Sequence, residues 1–484
     1  MRKVYKSFLY LILMTGALSS CTMDFTTINT DPNTAANALP ESFLAPALYE
    51  AVVSGQNRAK SLNNELMQVY VPTSGTEGVH RYIIMPKQSN YIWDSYYGIL
   101  NDFRYMYESA SAIGDKNFMA IANILDSWVM STLTDAFGDV PDTEATKGRD
   151  GVFQPAFDRQ EDIYKRIFVK LDSANLWLAE GTAMSDEQKA LDPMYQGDIA
   201  KWRKFGNSLY LRLLMRVADK SDEAVQKFRD ICSNTSTWPV FTGNADAAIL
   251  RMTTTPPLVS AFYNLRPGDF SSGSYSEFFI ETLLYWGDPR IEIWATQASL
   301  GVYAGIQSGY VPGPVPDVHS SYHASLQNAP LLGNILNYAE LKFTQAEGAV
   351  RSYIASDQAE ALYDTAVVNS IRLWEVAVPE GYLERPGVKW ENSISKEQKI
   401  AKVITQKYFS TFFTDFQEWN DYRRTGYPDL SAYTGAGVQN GGKMPSRFKY
   451  PVYVQGLNQK NYNHAVEAMG GDDINIKVWW NGGK

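Results

Sequence analysis

The sequence predicts a mostly α-helical protein. The expected architecture is a tetratricopeptide-like scaffold of helical hairpins, with a loop-rich, irregular ligand-binding region and few short strands. Three observations carry this. Long stretches repeat apolar residues at helical spacing, a middle section loses that repeat, and aromatic residues are abundant throughout, with 12 Trp, 30 Tyr and 22 Phe.

The elements follow in chain order. Arg2, Lys3 and Lys6 precede an uncharged apolar run from Phe8 to Leu18, and Leu18-Ser19-Ser20-Cys21 closes it. A basic start, a short apolar core and small residues before a cut form a secretory signal. The run falls short of the roughly 20 apolar residues that a membrane-spanning helix needs. Residues 1–20 therefore read as a signal peptide. Leu-Ser-Ser-Cys resembles a bacterial lipobox, which makes Cys21 the expected lipidated residue. Residues 21–40, with Asp31-Pro32-Asn33 and Pro40, read as an extended tether. Residues 41–484 then read as one domain.

Helical periodicity begins near Phe43. Residues 118–137 place Ile121, Ile124, Leu125, Trp128 and Leu133 on one side, and Phe137-Gly138-Asp139-Val140-Pro141 stops the helix. Residues 159–179 step through Ile163, Ile167, Leu171, Ala174 and Leu178. Residues 199–219 align Phe205, Leu209, Leu213 and Val217. A helical scaffold is thus expected over about 41–232 and again over 331–414. Residues 335–350 and 357–377 set small residues (Ala339, Ala346, Ala361, Ala366) among large ones (Tyr338, Phe343, Tyr363). That is the pattern of a tetratricopeptide hairpin, whose repeat is about 34 residues. A further helix is expected over 396–413. Residues 233–330 are rich in Gly, Pro, Ser, Thr and Tyr and read as a loop-rich insertion. Residues 415–484 read as aromatic loops.

Composition excludes several classes. The net charge of −9, without a Lys/Arg cluster, argues against nucleic acid as a partner. With only Cys21 and Cys232 present, a disulfide framework is impossible. No phosphate loop, nucleophile elbow or zinc-protease helix occurs. His319 and His323 stand four apart, but Pro312, Pro314 and Pro316 favour a loop over a metal-binding helix face. Asp472-Asp473 lacks the calcium-loop pattern. No catalytic residue, metal or cofactor is expected.

Motifs along the chain carry a resemblance. Phe25-Thr26-Thr27-Ile28-Asn29-Thr30-Asp31-Pro32-Asn33 opens the series. Leu133 to Pro141 with Glu144-Ala145 follows, and then Gly197-Asp198-Ile199-Ala200-Lys201-Trp202, which continues through Asn207, Arg212 and Arg216. Gly287-Asp288-Pro289-Arg290, Glu418-Trp419, Arg447-Phe448-Lys449-Tyr450-Pro451 and Trp479-Trp480 complete it. In this order the chain resembles the SusD/RagB-like outer-membrane nutrient-binding lipoproteins. The resemblance implies a cell-surface lipoprotein that captures oligosaccharide, or in some relatives peptide. It would pass the ligand to a SusC-like TonB-dependent transporter, do no bond chemistry, and face the exterior of the outer membrane. The alternative is a surface polysaccharide-degrading glycoside hydrolase, which needs two carboxylates across the scissile bond.

Sugar recognition calls for flat aromatic platforms and a few convergent polar groups in a concave site. Two segments offer them. One is Tyr91 to Tyr97 with Asn101 and Asp102; the other is the insertion with Tyr275, Trp286, Trp294, Tyr303, Tyr310 and Tyr322. The expected ligand-binding residues are Trp93, Tyr96, Asn101, Trp286, Trp294, Tyr303 and Tyr310. The Asp288-Pro289-Arg290 turn reads as structural.

Overall fold

A computed structural model describes residues 38–73, 78–314, 316–317 and 319–484. Cys21, the signal peptide, nearly all of the tether and the opening motif at Phe25–Asn33 lie outside the described residues.

The chain is mostly helical. The longer helices are α1 (Glu41–Arg58), α2 (Pro86–Ile113), α3 (Lys116–Phe137), α4 (Gln160–Ala179), α5 (Ile199–Val217), α6 (Asp222–Ser233), α7 (Glu277–Trp286), α8 (Tyr338–Val350), α9 (Ala359–Leu373), α10 (Lys396–Ser410), α11 (Gln417–Thr425) and α12 (Gln459–Met469). Their ends obey local chemistry. The Asp115 side chain accepts from the Phe118 N–H at the start of α3, Asp198 from Lys201 at the start of α5, and Asn337 from Glu340 at the start of α8. Gly138, at φ +86°, ends α3 in a conformation that a β-carbon disfavours.

Sequence neighbours pack as hairpins: α2 on α3, α3 on α4, α4 on α5, α5 on α6, and α8 on α9 and α10. The hairpin expected from the sequence is present as α8/α9, and the helices expected at 159–179 and 199–219 pair as α4/α5. The halves of the scaffold join where α5 meets α8, and a buried ion pair spans that contact, Arg212 Nε lying 2.7 Å from Glu340. Two more tie in neighbouring helices: Arg216 Nη1 of α5 lies 2.6 Å from Asp135 of α3, and Arg424 Nη2 of α11 lies 2.7 Å from Glu347 of α8. One main apolar core runs from Leu44 to Trp480.

Strands are few and short. Tyr70–Val71 (β1) pairs antiparallel with Ser274–Tyr275 (β3), and Ala248–Ile249 (β2) with Asn334–Leu336 (β4). These pairs stitch the insertion to the scaffold.

The insertion is loop-rich as expected, with few helices, the ten-residue α7 being its longest. One expectation is corrected. Residues 415–484 are not only loops, because α11, a short helix at Val452–Leu457 and α12 lie there. The apolar stripes of α11 and α12 are interrupted by many polar residues, so periodicity read along the chain misses them. The Asp288-Pro289-Arg290 turn is structural: Asp288 accepts from the Arg290 N–H and from its guanidinium, and Tyr382 donates to the same carboxylate. His323 caps a turn through the Ser325 N–H, and Asp472 pairs with Arg447 at 2.8 Å. Among the described residues no helix is long and apolar enough to cross a membrane.

Candidate functional site

Helix α2 is 28 residues long, and every fourth residue of one stretch is Trp93, Tyr97, Asn101 and Tyr105. Residues four apart share a helix face, so these side chains form one line, about 18 Å from end to end at 1.5 Å per residue. That line borders two adjoining cavities. The first, about 440 Å³, is lined by Trp93, Tyr97, Gly98 and Asn101 against Pro141, Ala145, Thr146 and Pro155. The second, about 490 Å³, includes Tyr105 and Tyr107 of α2, Asp126 of α3 and Lys170 and Trp177 of α4. Ala145 and Thr146 line both, so the two form one groove.

The platforms are held rigidly. The Trp93 ring meets Phe137 edge-on at 5.2 Å and lies 4.9 Å from Tyr97. The Tyr97 hydroxyl donates to the Pro141 carbonyl at 2.7 Å. Tyr107 and Trp177 pack against each other in the lining of the second cavity, with ring centres 6.4 Å apart. The Arg149 guanidinium lies 4.4 Å above the Tyr105 ring.

Beneath them is a charge network. Arg104 bridges Asp126 at 2.9 Å and Asp142 at 2.5 Å, and it donates to the Asp142 and Ala145 carbonyls. Lys170 also binds Asp126, and Arg166 joins Asp142 to Asp158. Burial pushes the Asp126 carboxyl up, but Lys170 and Arg104 outweigh it and hold the group below its ordinary value. Asp158 accepts from the N–H groups of Asp142 and Thr143, which pins the base of the loop that carries Ala145 to Pro155.

Two expected site residues, Trp93 and Asn101, meet in this groove. Others are corrected to structural roles. Tyr96 is fully buried on the far side of α2, with the Arg58 guanidinium 3.9 Å over its ring and Asp415 accepting its hydroxyl. Trp294 is fully buried, 4.7 Å from Phe412 and 5.2 Å from Trp374. Trp286 is buried against Phe409 at 5.0 Å. Tyr310 is buried too: its hydroxyl donates to the Pro72 carbonyl and Arg81 stacks on its ring. Nearby, burial and Arg81 push the His80 imidazole down to about 3, and its Nδ1 accepts from the Gly309 N–H. Tyr275 and Tyr322 pack into an aromatic cluster with Tyr70. Tyr303 is half-buried against the main core and lines neither groove cavity.

Sequence reasoning missed Tyr105, Tyr107, Arg149 and Trp177. The four-residue repeat from Trp93 to Tyr105 was the available signal. The approach of α4 and the 143–158 loop was not encoded locally.

Comparisons with known proteins agree with this architecture. Residues 32–451 match the SusD-like_2 family model, described as starch-binding associating with outer membrane. A SusD homolog from Bacteroides fragilis superposes with a TM-score of 0.79 at 23% identity, covering 92% of this chain and 99% of the other. A chitin-binding protein superposes at 0.77 with 26% identity, covering 91% and 99%. A chitin-binding SusD homolog from Flavobacterium johnsoniae superposes at 0.78 with 21% identity, covering 91% and 98%. No curated protein matches the sequence significantly.

Proposed function

The chain belongs to the SusD-like family, and from that premise we propose that it is a cell-surface lipoprotein that captures oligosaccharide in the α2 groove and delivers it to a SusC-like TonB-dependent transporter. The observation that carries the reading is the groove itself. Trp93, Tyr97, Tyr105, Tyr107 and Trp177 line it, with Asn101 and charged groups between them. Aromatic faces accept the apolar faces of sugar rings, while amide and guanidinium groups bond hydroxyls. Rings already fixed by packing lose little freedom on binding, so more of the contact energy appears as affinity.

The lipobox-like Leu18–Cys21 and the family description support attachment to the outer membrane. Acyl chains hold a body at a bilayer surface without spanning it. Exposure to the exterior and the transporter partner are part of the proposal. So is the absence of bond chemistry: a general acid needs a raised carboxyl, whereas Lys170 and Arg104 hold Asp126 down.

Affinity electrophoresis against a panel of plant, fungal and host glycans tests the reading. Trp93→Ala and Trp177→Ala are expected to weaken retention by the retained glycan tenfold or more, with no product released on long incubation. Unchanged retention in both variants would remove the groove as the site. Turnover lost on one carboxylate substitution would establish the hydrolase instead. Co-purification of a barrel protein from detergent-solubilised cells tests the transporter partner.

A further inference from the structure

The second cavity is lined by four cations, Arg104, Lys147, Arg149 and Lys170, in a chain whose net charge is −9. Its carboxylates number three: Glu108, Asp126 and Asp150. Two of the cations are engaged, since Arg104 and Lys170 are bound to Asp126, and Arg104 also to Asp142. Arg149 and Lys147 differ from them. Both are exposed, and neither has a carboxylate within ion-pair distance among the described residues.

Arg149 is nevertheless oriented. Its Cζ sits 4.4 Å over the Tyr105 ring. Stacking uses the flat face of the guanidinium and leaves its edge N–H groups for a planar acceptor. Carboxylates and sulfates are such acceptors, and Arg binds them through two parallel bonds. Tyr107 and Trp177 supply aromatic surface in the same cavity. Thr146, where the two cavities meet, has φ +64°, a region that a β-branched residue rarely occupies. That turn leads the backbone to Lys147 and Arg149 in the lining of the cavity.

We propose that the groove selects acidic glycan segments, Arg149 and Lys147 binding a carboxylate or sulfate on the sugar while the neighbouring aromatic rings take the sugar faces. This deepens the reading of the groove as the glycan site and rests on it. The inner carboxylates do not oppose it, because Asp126 and Asp142 are bound by Arg104, Lys170 and Arg166. Glu108 and Asp150 are the acidic groups of the lining without an ion-pair partner, and they disfavour an anion placed away from the Arg149 edge.

The full chain in detergent, titrated calorimetrically with three probes, tests this. The probes are oligogalacturonate, a carrageenan oligosaccharide, which carries sulfate without carboxylate, and a neutral chito- or malto-oligosaccharide. The expected result is that one acidic probe binds at least tenfold tighter than the neutral one, with affinity falling as salt rises. Which probe wins separates carboxylate from sulfate. Arg149→Ala is expected to cost that probe tenfold or more, and Arg149→Lys less, since charge survives while the fork is lost. Equal affinity for neutral and acidic probes, or an acidic preference intact in Arg149→Ala, overturns the proposal. If neutral binding is then still lost in Trp177→Ala, the groove reading stands while the acidic specificity falls. Binding that neither Trp93→Ala nor Trp177→Ala alters removes both, and so does an absence of binding to any probe.

Discussion

Trp93 and Tyr96 stand three residues apart on α2 and meet different surroundings. Trp93 borders the groove, whereas Tyr96 is locked between Arg58 and Asp415 in the interior. Their residue types do not distinguish them; what lies opposite does. Glu418 is a sharper case. It is buried, both carboxylate oxygens lack a hydrogen-bond partner among the described residues, and burial with the nearby Asp421 and Glu340 carboxyls pushes its proton affinity well up. A carboxyl raised in the folded state binds more protons folded than unfolded, so stability falls as pH rises above the ordinary 4.5. Below that pH both states are protonated and the effect vanishes. The neutral Glu418→Gln variant lacks this dependence. It is expected to gain on the parent chain by about 1.4 kcal/mol per pH unit above that point while the buried carboxyl stays protonated. Urea unfolding of both proteins at pH 5 and pH 8 measures it, and parallel curves would mean that Glu418 is ionised in the fold.

At the scale of elements, small residues decide how closely helices approach. A β-carbon on Gly206 of α5 would come within 2.9 Å of the Ile124 Cδ1 of α3, and one on Gly348 of α8 within 2.6 Å of the buried Phe228 ring. Replacing a mid-helix glycine by alanine favours the helix by about 1 kcal/mol, whereas overpacking costs about 1–3 kcal/mol. The end of an isoleucine chain can turn aside; a buried aromatic ring flanked by Tyr353 has less room. Gly206→Ala is therefore expected to be near neutral and Gly348→Ala to destabilise by about 1–2 kcal/mol. Denaturant midpoints at constant slope check the pair. The α8/α9 hairpin was legible because its small and large residues alternate at helical spacing. The tail helices α11 and α12 were not, because much of their length is polar and their burial comes from partners distant in sequence.

At the scale of the whole molecule, burial and ion pairs stabilise the fold, with no disulfide among the described residues. Cys232 is a free thiol, and burial pushes it up to about 11, which keeps it protonated and slow to react. Attachment is a separate matter from folding. Cys21→Ser is expected to move the protein from the membrane fraction to the soluble fraction and to leave its melting temperature and glycan affinity unchanged. Fractionation with thermal unfolding and affinity electrophoresis checks all three. Retention of the variant in the membrane fraction would mean that another contact holds it there.

Sequence alone determined the helical class, the α8/α9 hairpin, the exclusion of a disulfide framework and the family resemblance, because periodicity, cysteine count and ordered motifs are local or additive properties of the chain. It also placed Trp93 and Asn101 on a candidate surface. Tertiary structure decided which aromatics border an open groove: Trp93 and Tyr310 are both buried, at 7% and 8% exposure, and of the two only Trp93 lines it. Trp286, Trp294 and Tyr310 have the same chemistry as Trp93 and Trp177, yet the aromatic core and the Arg81 contact enclose them. An aromatic side chain serves a core and a sugar platform equally well. Only the packing of α2, α3, α4 and the 143–158 loop, brought together across long sequence separations, leaves one row of rings along an open groove.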